Sequence, residues 1–302
     1  MTHLALPARR LLGALLGGSL VLAAVTACQT DDTATTTSRR DVSPTAAEQP
    51  SVSPSTTTTT AAARLTTRQR LELLASTISA TPADTTAGLP YTYLHLQTWA
   101  RATNTIVRTD LRRWRHDRDG SGREISRRAP DLWGVNHQLT PDDRDQFSRA
   151  AQTSTRYGVG QLHPYLPGAI PADPGELAKL LAPPELVNEP AYPRLLAGGV
   201  VGLATSQYLD QRQRATALRV LATVPGITYR GATNDLAGRP GLLFQVIAGG
   251  STSTLVIDPA TGELLAAQEW LDGGRRPGLF SHILLLERGR AGSSTAPPSP
   301  PV

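Results

Sequence analysis

The chain contains a single cysteine, Cys28, so no intramolecular disulfide can staple its fold. Whatever folds must be held by its own hydrophobic core, and 302 residues are enough to build one. Cys28 closes a stretch that stands apart from that core. Arg9 and Arg10 precede an apolar run from Leu11 to Val25, and Thr26 and Ala27 are small residues before the cysteine. A positive start, an apolar middle and a small-residue end describe a secretory signal. Leu11 to Ala27 approaches the length of a membrane span, but Gly13, Gly17, Gly18 and the lack of a basic stop behind it argue against one.

A cysteine directly after such residues resembles the bacterial lipobox. The resemblance implies cleavage before Cys28, a diacylglyceryl group on its sulfur, and a lipid anchor on the extracytoplasmic face of the cell membrane. One acyl chain anchors marginally at about 0.8 kcal/mol per methylene, whereas two or three hold durably. Gln29 to about Ala63 is rich in Thr, Ser, Ala and Asp, with Pro44, Pro50 and Pro54 and almost no large apolar side chains. Such a segment reads as a disordered tether, with ends about 30–35 Å apart as a flexible coil. The expected plan is a signal over 1–27, a lipidated tether over 28–63, one domain over 64–290, and a disordered proline-rich tail over 291–302.

Periodicity supplies the elements of the domain. Thr66 or Thr67 caps a helix to about Ser79. Tyr91 to Ala100, Thr105 to Asp117 and Arg123 to Arg128 read as strands, the last two joined by Asp119-Gly120-Ser121-Gly122. Pro130 to Pro171 reads as irregular, apart from a short helix from Pro141 to Gln152 that Thr140 caps. A helical insertion over about 171–225 holds Leu177 to Leu181, Pro193 to Leu209 and Gln211 to Thr223. Gly198, Gly199 and Gly202 in its middle helix permit close approach. Five strands follow, from Ile227, Gly241, Thr254, Glu263 and Phe280, with glycine-rich turns between them. Short turns favour antiparallel pairing. The fold class is α+β: a curved, half-barrel-like antiparallel sheet with helices packed on one face.

Several stretches resemble a family of actinobacterial envelope lipoproteins. They are "LRRWRHDRDGSGREISRR", "IPADPGELAKLL", "ALRVLATVPGI", "DLAGRPGLLFQV" and "LVIDPATGELLAAQEW". At greater distance the order of elements is similar to the lipoprotein-carrier and envelope-stress-sensor superfamily. That resemblance implies a curved sheet with an apolar groove for a lipid or lipoprotein, or for a membrane protein partner in a sigma-factor pathway. It carries no catalytic residues with it.

Other chemistries are poorly supported. The formal charge is +5 and nearly all of it is arginine, Lys179 being the sole lysine. No nucleic-acid module accompanies it, so an anionic envelope surface suits the charge better. Asp117, Asp119 and Ser121 match the start of a calcium loop, but the position for its bidentate glutamate holds Arg128. The histidines show no metal spacing, and His95 and His282 fall in strands as structural groups. No nucleophile elbow, phosphate loop or dinucleotide fingerprint occurs. No cofactor, metal or catalytic residue is expected. A hydrolase would have to draw on His116, Asp117, Asp119 and Glu124. Trp99, Trp114 and Trp270 are candidates to line the apolar groove, with Trp133 nearby in sequence and ordinary core the competing role for each.

Overall fold

In a computed structural model, residues 65–86 and 88–298 are described. Cys28, the tether and residues 299–302 lie outside them. Nine strands form one antiparallel sheet, open and curled, in the order β4-β3-β2-β1-β9-β8-β7-β6-β5. Two meanders make it. The first is β1 (Tyr91–Ala102), β2 (Thr105–His116), β3 (Gly122–Trp133) and β4 (Gln152–Tyr157). The second is β5 (Thr228–Asn234), β6 (Pro240–Ala248), β7 (Ser251–Ile257), β8 (Leu264–Leu271) and β9 (Gly278–Ala291). Pairing of β1 with β9 joins them, from Tyr91 opposite Ala291 to Ala100 opposite Ser281, with a bulge between His95 and Leu96.

The helices are α1 (Thr67–Ser79), α2 (Pro141–Asp145), α3 (Pro174–Leu181), α4 (Tyr192–Ser206) and α5 (Gln211–Thr223). Their starts follow the cap chemistry. Thr66 and Gln69 form a reciprocal capping box on α1, and Asp173 Oδ1 accepts from Glu176 N at 2.8 Å on α3. α1, α3, α4 and α5 cover one face of the second meander. Leu71, Ile78, Leu177, Leu203 and Leu221 pack there with Phe244, Val246, Leu255 and Ile257. Each large side chain fully buried this way contributes about 1.5–3 kcal/mol. Gly199 and Gly202 bring α4 against Leu181 and Tyr165, where a Cβ would not fit, while Gly198 faces open space.

Alternation along the strands sends the intervening residues to the opposite face. Trp99, Ile106, Ala129, Phe147, Val256, Leu265, Leu279 and Leu284 make a second core there. It is roofed by the connection after β3, which crosses to β9 and accepts from Leu279 N through Val135 O at 2.8 Å.

Four sequence expectations change. β3 continues to Trp133, five residues past Arg128, and β4 occupies part of the stretch read as irregular. β4 is an exposed edge strand of Gln, Thr, Ser and Arg, so it lacks the apolar alternation that marks a strand. The helix from Pro141 ends at Asp145 and tightens into a 3₁₀ turn over Gln146–Arg149. Part of the segment read as a tail packs on the body: Ala291 ends β9 fully buried, and Ala296 O accepts from Trp114 Nε1 at 2.9 Å.

Candidate functional site

A cavity of about 530 Å3 opens on the face roofed by the crossing connection. That size lies within the range of small-molecule sites. Strand alternation places Thr254 and Val256 of β7, Ala266, Gln268 and Trp270 of β8, and His282 of β9 along one wall. His137, Gln138, Leu139 and Pro141 of the crossing connection, and Asn234 to Leu236 at the end of β5, supply the rest. Its surface is therefore both apolar and hydrogen-bonding.

His282 is the unusual group. It is 8 % exposed, and neither ring nitrogen has a hydrogen-bond partner among the described residues. Its ring lies edge-on to Trp99, with centroids 5.3 Å apart. Burial pulls its pKa down to about 4, against a smaller opposing pull from Asp235, so the imidazole is neutral at neutral pH. A neutral imidazole offers one donor and one acceptor, and leaving both unused in the interior is costly.

The other ionisable groups of the wall are occupied. Asp235 accepts from Ala237 N and Arg239 N, both at 2.9 Å, and pairs with the Arg239 guanidinium at 2.6 Å. His137 lies 3.1 Å from Asp143, which also pairs with Arg108 at 3.5 Å. Burial raises the Asp143 pKa, but hydrogen bonds from Thr140 and His137 outweigh it and hold the carboxyl below its usual range.

The tryptophans separate. Trp99 is fully buried against Phe147 and His282, behind the cavity rather than in its wall. Trp114 packs on Tyr93 beneath the chain at Ala296. Trp270 lines the cavity, and Trp133 is 84 % exposed at the end of β3. One candidate of the three thus meets the cavity. Sequence reasoning missed Thr254, Gln268 and Asn234. The phase of β8 around Trp270 points to Gln268, whereas nothing local announces that residues 137–141 close over it.

Of the hydrolytic candidates, only His116 and Asp119 meet. His116 Nδ1 lies 3.0 Å from Asp119, whose carboxylate also accepts from Ser121 N. Asp117 is held by Thr92, Arg115 and Arg290. Glu124 pairs with Arg113 and accepts from Tyr157 Oη at 2.8 Å. His95 behaves as a structural histidine: its Nε2 is 3.0 Å from Asp110 Oδ2, which also accepts from Gln97 at 2.9 Å. This buried pair lies on the same face as the cavity but not in its wall. Burial raises the Asp110 pKa, and the bonds from His95 and Gln97 more than reverse that. No group of three or more metal-ligating side chains occurs among the described residues.

No helix among the described residues is long and apolar enough to cross a membrane. Family models yield no match to this chain, and no curated protein matches it significantly.

Proposed function

We propose that this chain is a membrane-anchored extracytoplasmic lipoprotein that binds rather than transforms its ligand, and that it holds an amphipathic lipid in the cavity over β7, β8 and β9. The observation that carries this reading is His282. It is a buried, neutral hydrogen-bonding group in the wall of an apolar-and-polar cavity of about 530 Å3. The apolar part of the ligand lies on Trp270, Val256, Leu139 and Leu236, and its polar group meets His282 and Gln268. A purely aliphatic chain would leave those side chains unsatisfied.

The lipobox around Cys28 supports the anchor. Charge supports a membrane neighbour: Arg112, Arg123, Arg127 and Arg156 share one face of β2–β4, none paired with a carboxylate within 4 Å among the described residues. The order of elements resembles that of the lipoprotein-carrier superfamily, a fold-level analogy that supports only the class.

Native mass spectrometry of the full chain, expressed in a bacterial host and released in mild detergent, tests the ligand. A lipid-sized adduct is expected on the parent and on a Trp133→Ala variant, and its loss in His282→Phe. An adduct retained in full by His282→Phe defeats the assignment of the site. Palmitate labelling that is lost in Cys28→Ala tests the anchor separately.

A further inference from the structure

The register of β7, β8 and β9 puts hydrogen-bonding groups of the His282 cavity into one row. Thr254 pairs with Gln268, and Gln268 pairs with His282, so three polar side chains stand side by side across three strands. All three line the cavity. The rows on either side are apolar. Val256, Ala266 and Leu284 make one, and Trp270 opposite Leu279 makes the other. Alternation sends these rows to the same face as the polar one. A single polar band therefore crosses an apolar stretch of wall.

The band carries no charge. Thr254 offers a hydroxyl, Gln268 an amide and His282 a neutral imidazole, and each can both donate and accept. None of the three makes a side-chain hydrogen bond to another described residue. Charged groups nearby are committed elsewhere. Asp235, in the wall, has no exposed side-chain surface and pairs with Arg239. Arg239 also donates to the carbonyls of Leu285 and Leu286, at 2.7 and 3.2 Å. His137 is held by Asp143. Beyond Thr254 the polar row reaches Gln245 of β6, which accepts from Arg230 Nε at 2.7 Å, and neither of these lines the cavity. No arginine or lysine lines it among the described residues.

An ionised carboxylate or phosphate seated on the band would lose its water and gain no cation in return. An ammonium would find the one carboxylate of the wall already paired. A hydroxyl both donates and accepts, as the band does, so it can exchange water for protein without loss.

We propose that the cavity selects lipids whose head group is uncharged and bears hydroxyl, and that Thr254, Gln268 and His282 set this preference. The inference rests on the lipid reading above and adds to it the charge and chemistry of the head.

Competition read by native mass spectrometry tests it. The full chain, held in a zwitterionic detergent that carries no hydroxyl, is offered an equimolar mixture of dodecanol, dodecanoate and dodecyltrimethylammonium at neutral pH. The dodecanol adduct should exceed each charged adduct about tenfold or more, since only the charged heads are desolvated without a partner. Gln268→Arg places a cation beside His282 and should raise dodecanoate relative to dodecanol about tenfold or more. If Gln268→Arg does not fold, the near-isosteric Thr254→Val decides, with dodecanol falling severalfold and dodecanoate unchanged. The head-group inference alone is overturned if a charged amphiphile binds the parent as well as dodecanol does, or if the folded variant keeps the parent's ratio. If none of the three binds, the lipid reading falls and this inference falls with it.

Discussion

The β5–β9 part of the sheet is covered by α1, α3, α4 and α5 over Phe244, Val246, Leu255 and Ile257, whereas β1–β4 buries charge. Arg108, 1 % exposed, donates to Pro130 O at 2.7 Å and pairs with Asp143; Asp110 is held by His95 and Gln97. The first region draws mainly on apolar area, which is non-directional, although it also encloses the Arg214–Asp84 and Arg288–Glu263 pairs. The second depends on aligned partners, and removing one strands the other in the interior. One continuous sheet therefore joins a region held mainly by apolar packing to one that depends more on aligned polar pairs.

That contrast can be broken experimentally. Phe244→Ala should cost the most, about 3–5 kcal/mol, because it removes a fully buried ring from beneath the helices. Chemical denaturation measures it, and a cost below about 1 kcal/mol would show that the helix layer collapses onto the gap. Arg108→Met should cost about 3 kcal/mol by leaving Asp143 and the Pro130 carbonyl under-satisfied. A neutral or stabilising result would mean that β1–β4 is held by area as well.

Acid should weaken both regions, through His282 on β9 and through Asp110 of β2 and Asp143 of α2. His282 has its folded pKa lowered from 6.5 to about 4, so between those values the unfolded chain binds a proton that the folded one refuses. Its contribution is fully present above pH 6.5 and is lost as pH falls towards 4, at about 1.4 kcal/mol per pH unit. Below that, protonation of the depressed carboxyls Asp110 and Asp143 removes more. Denaturation midpoints across this range should fall steeply for the parent, and His282→Phe should flatten the upper part of the slope. An unchanged slope would remove His282 as the titrating group. The smallest effect is expected from Trp114→Phe, about 1 kcal/mol for the indole bond to Ala296 O. Hydrogen exchange at residues 292–298 should speed up, while amides in β6 and β7 stay protected.

Legibility in the sequence follows the same division. Strands with apolar alternation, such as Thr254 to Asp258, and helices with explicit caps at Thr66, Asp173 and Asp210 are readable because their signals are local. β4 is not, because a polar edge strand is defined by its partner β3 rather than by its own residues. Of the candidate site, Trp270 was legible as a large aromatic in a strand. Its neighbours depended on which face of β8 looks outward from the helices. Arg115 and Arg290 are separated by 175 positions and come side by side only through β1.

The order of residues alone determined the composition of the elements, the antiparallel class of the sheet and the absence of an intramolecular disulfide, since these rest on periodicity, turn chemistry and a cysteine count. Tertiary structure decided that β1 pairs with β9, that Trp99 and Trp114 are packed away while Trp270 lines a cavity, and that His282 has no partner. Those outcomes depend on which distant segments cover each sheet face, and burial is a property of that covering rather than of any residue read in its own neighbourhood.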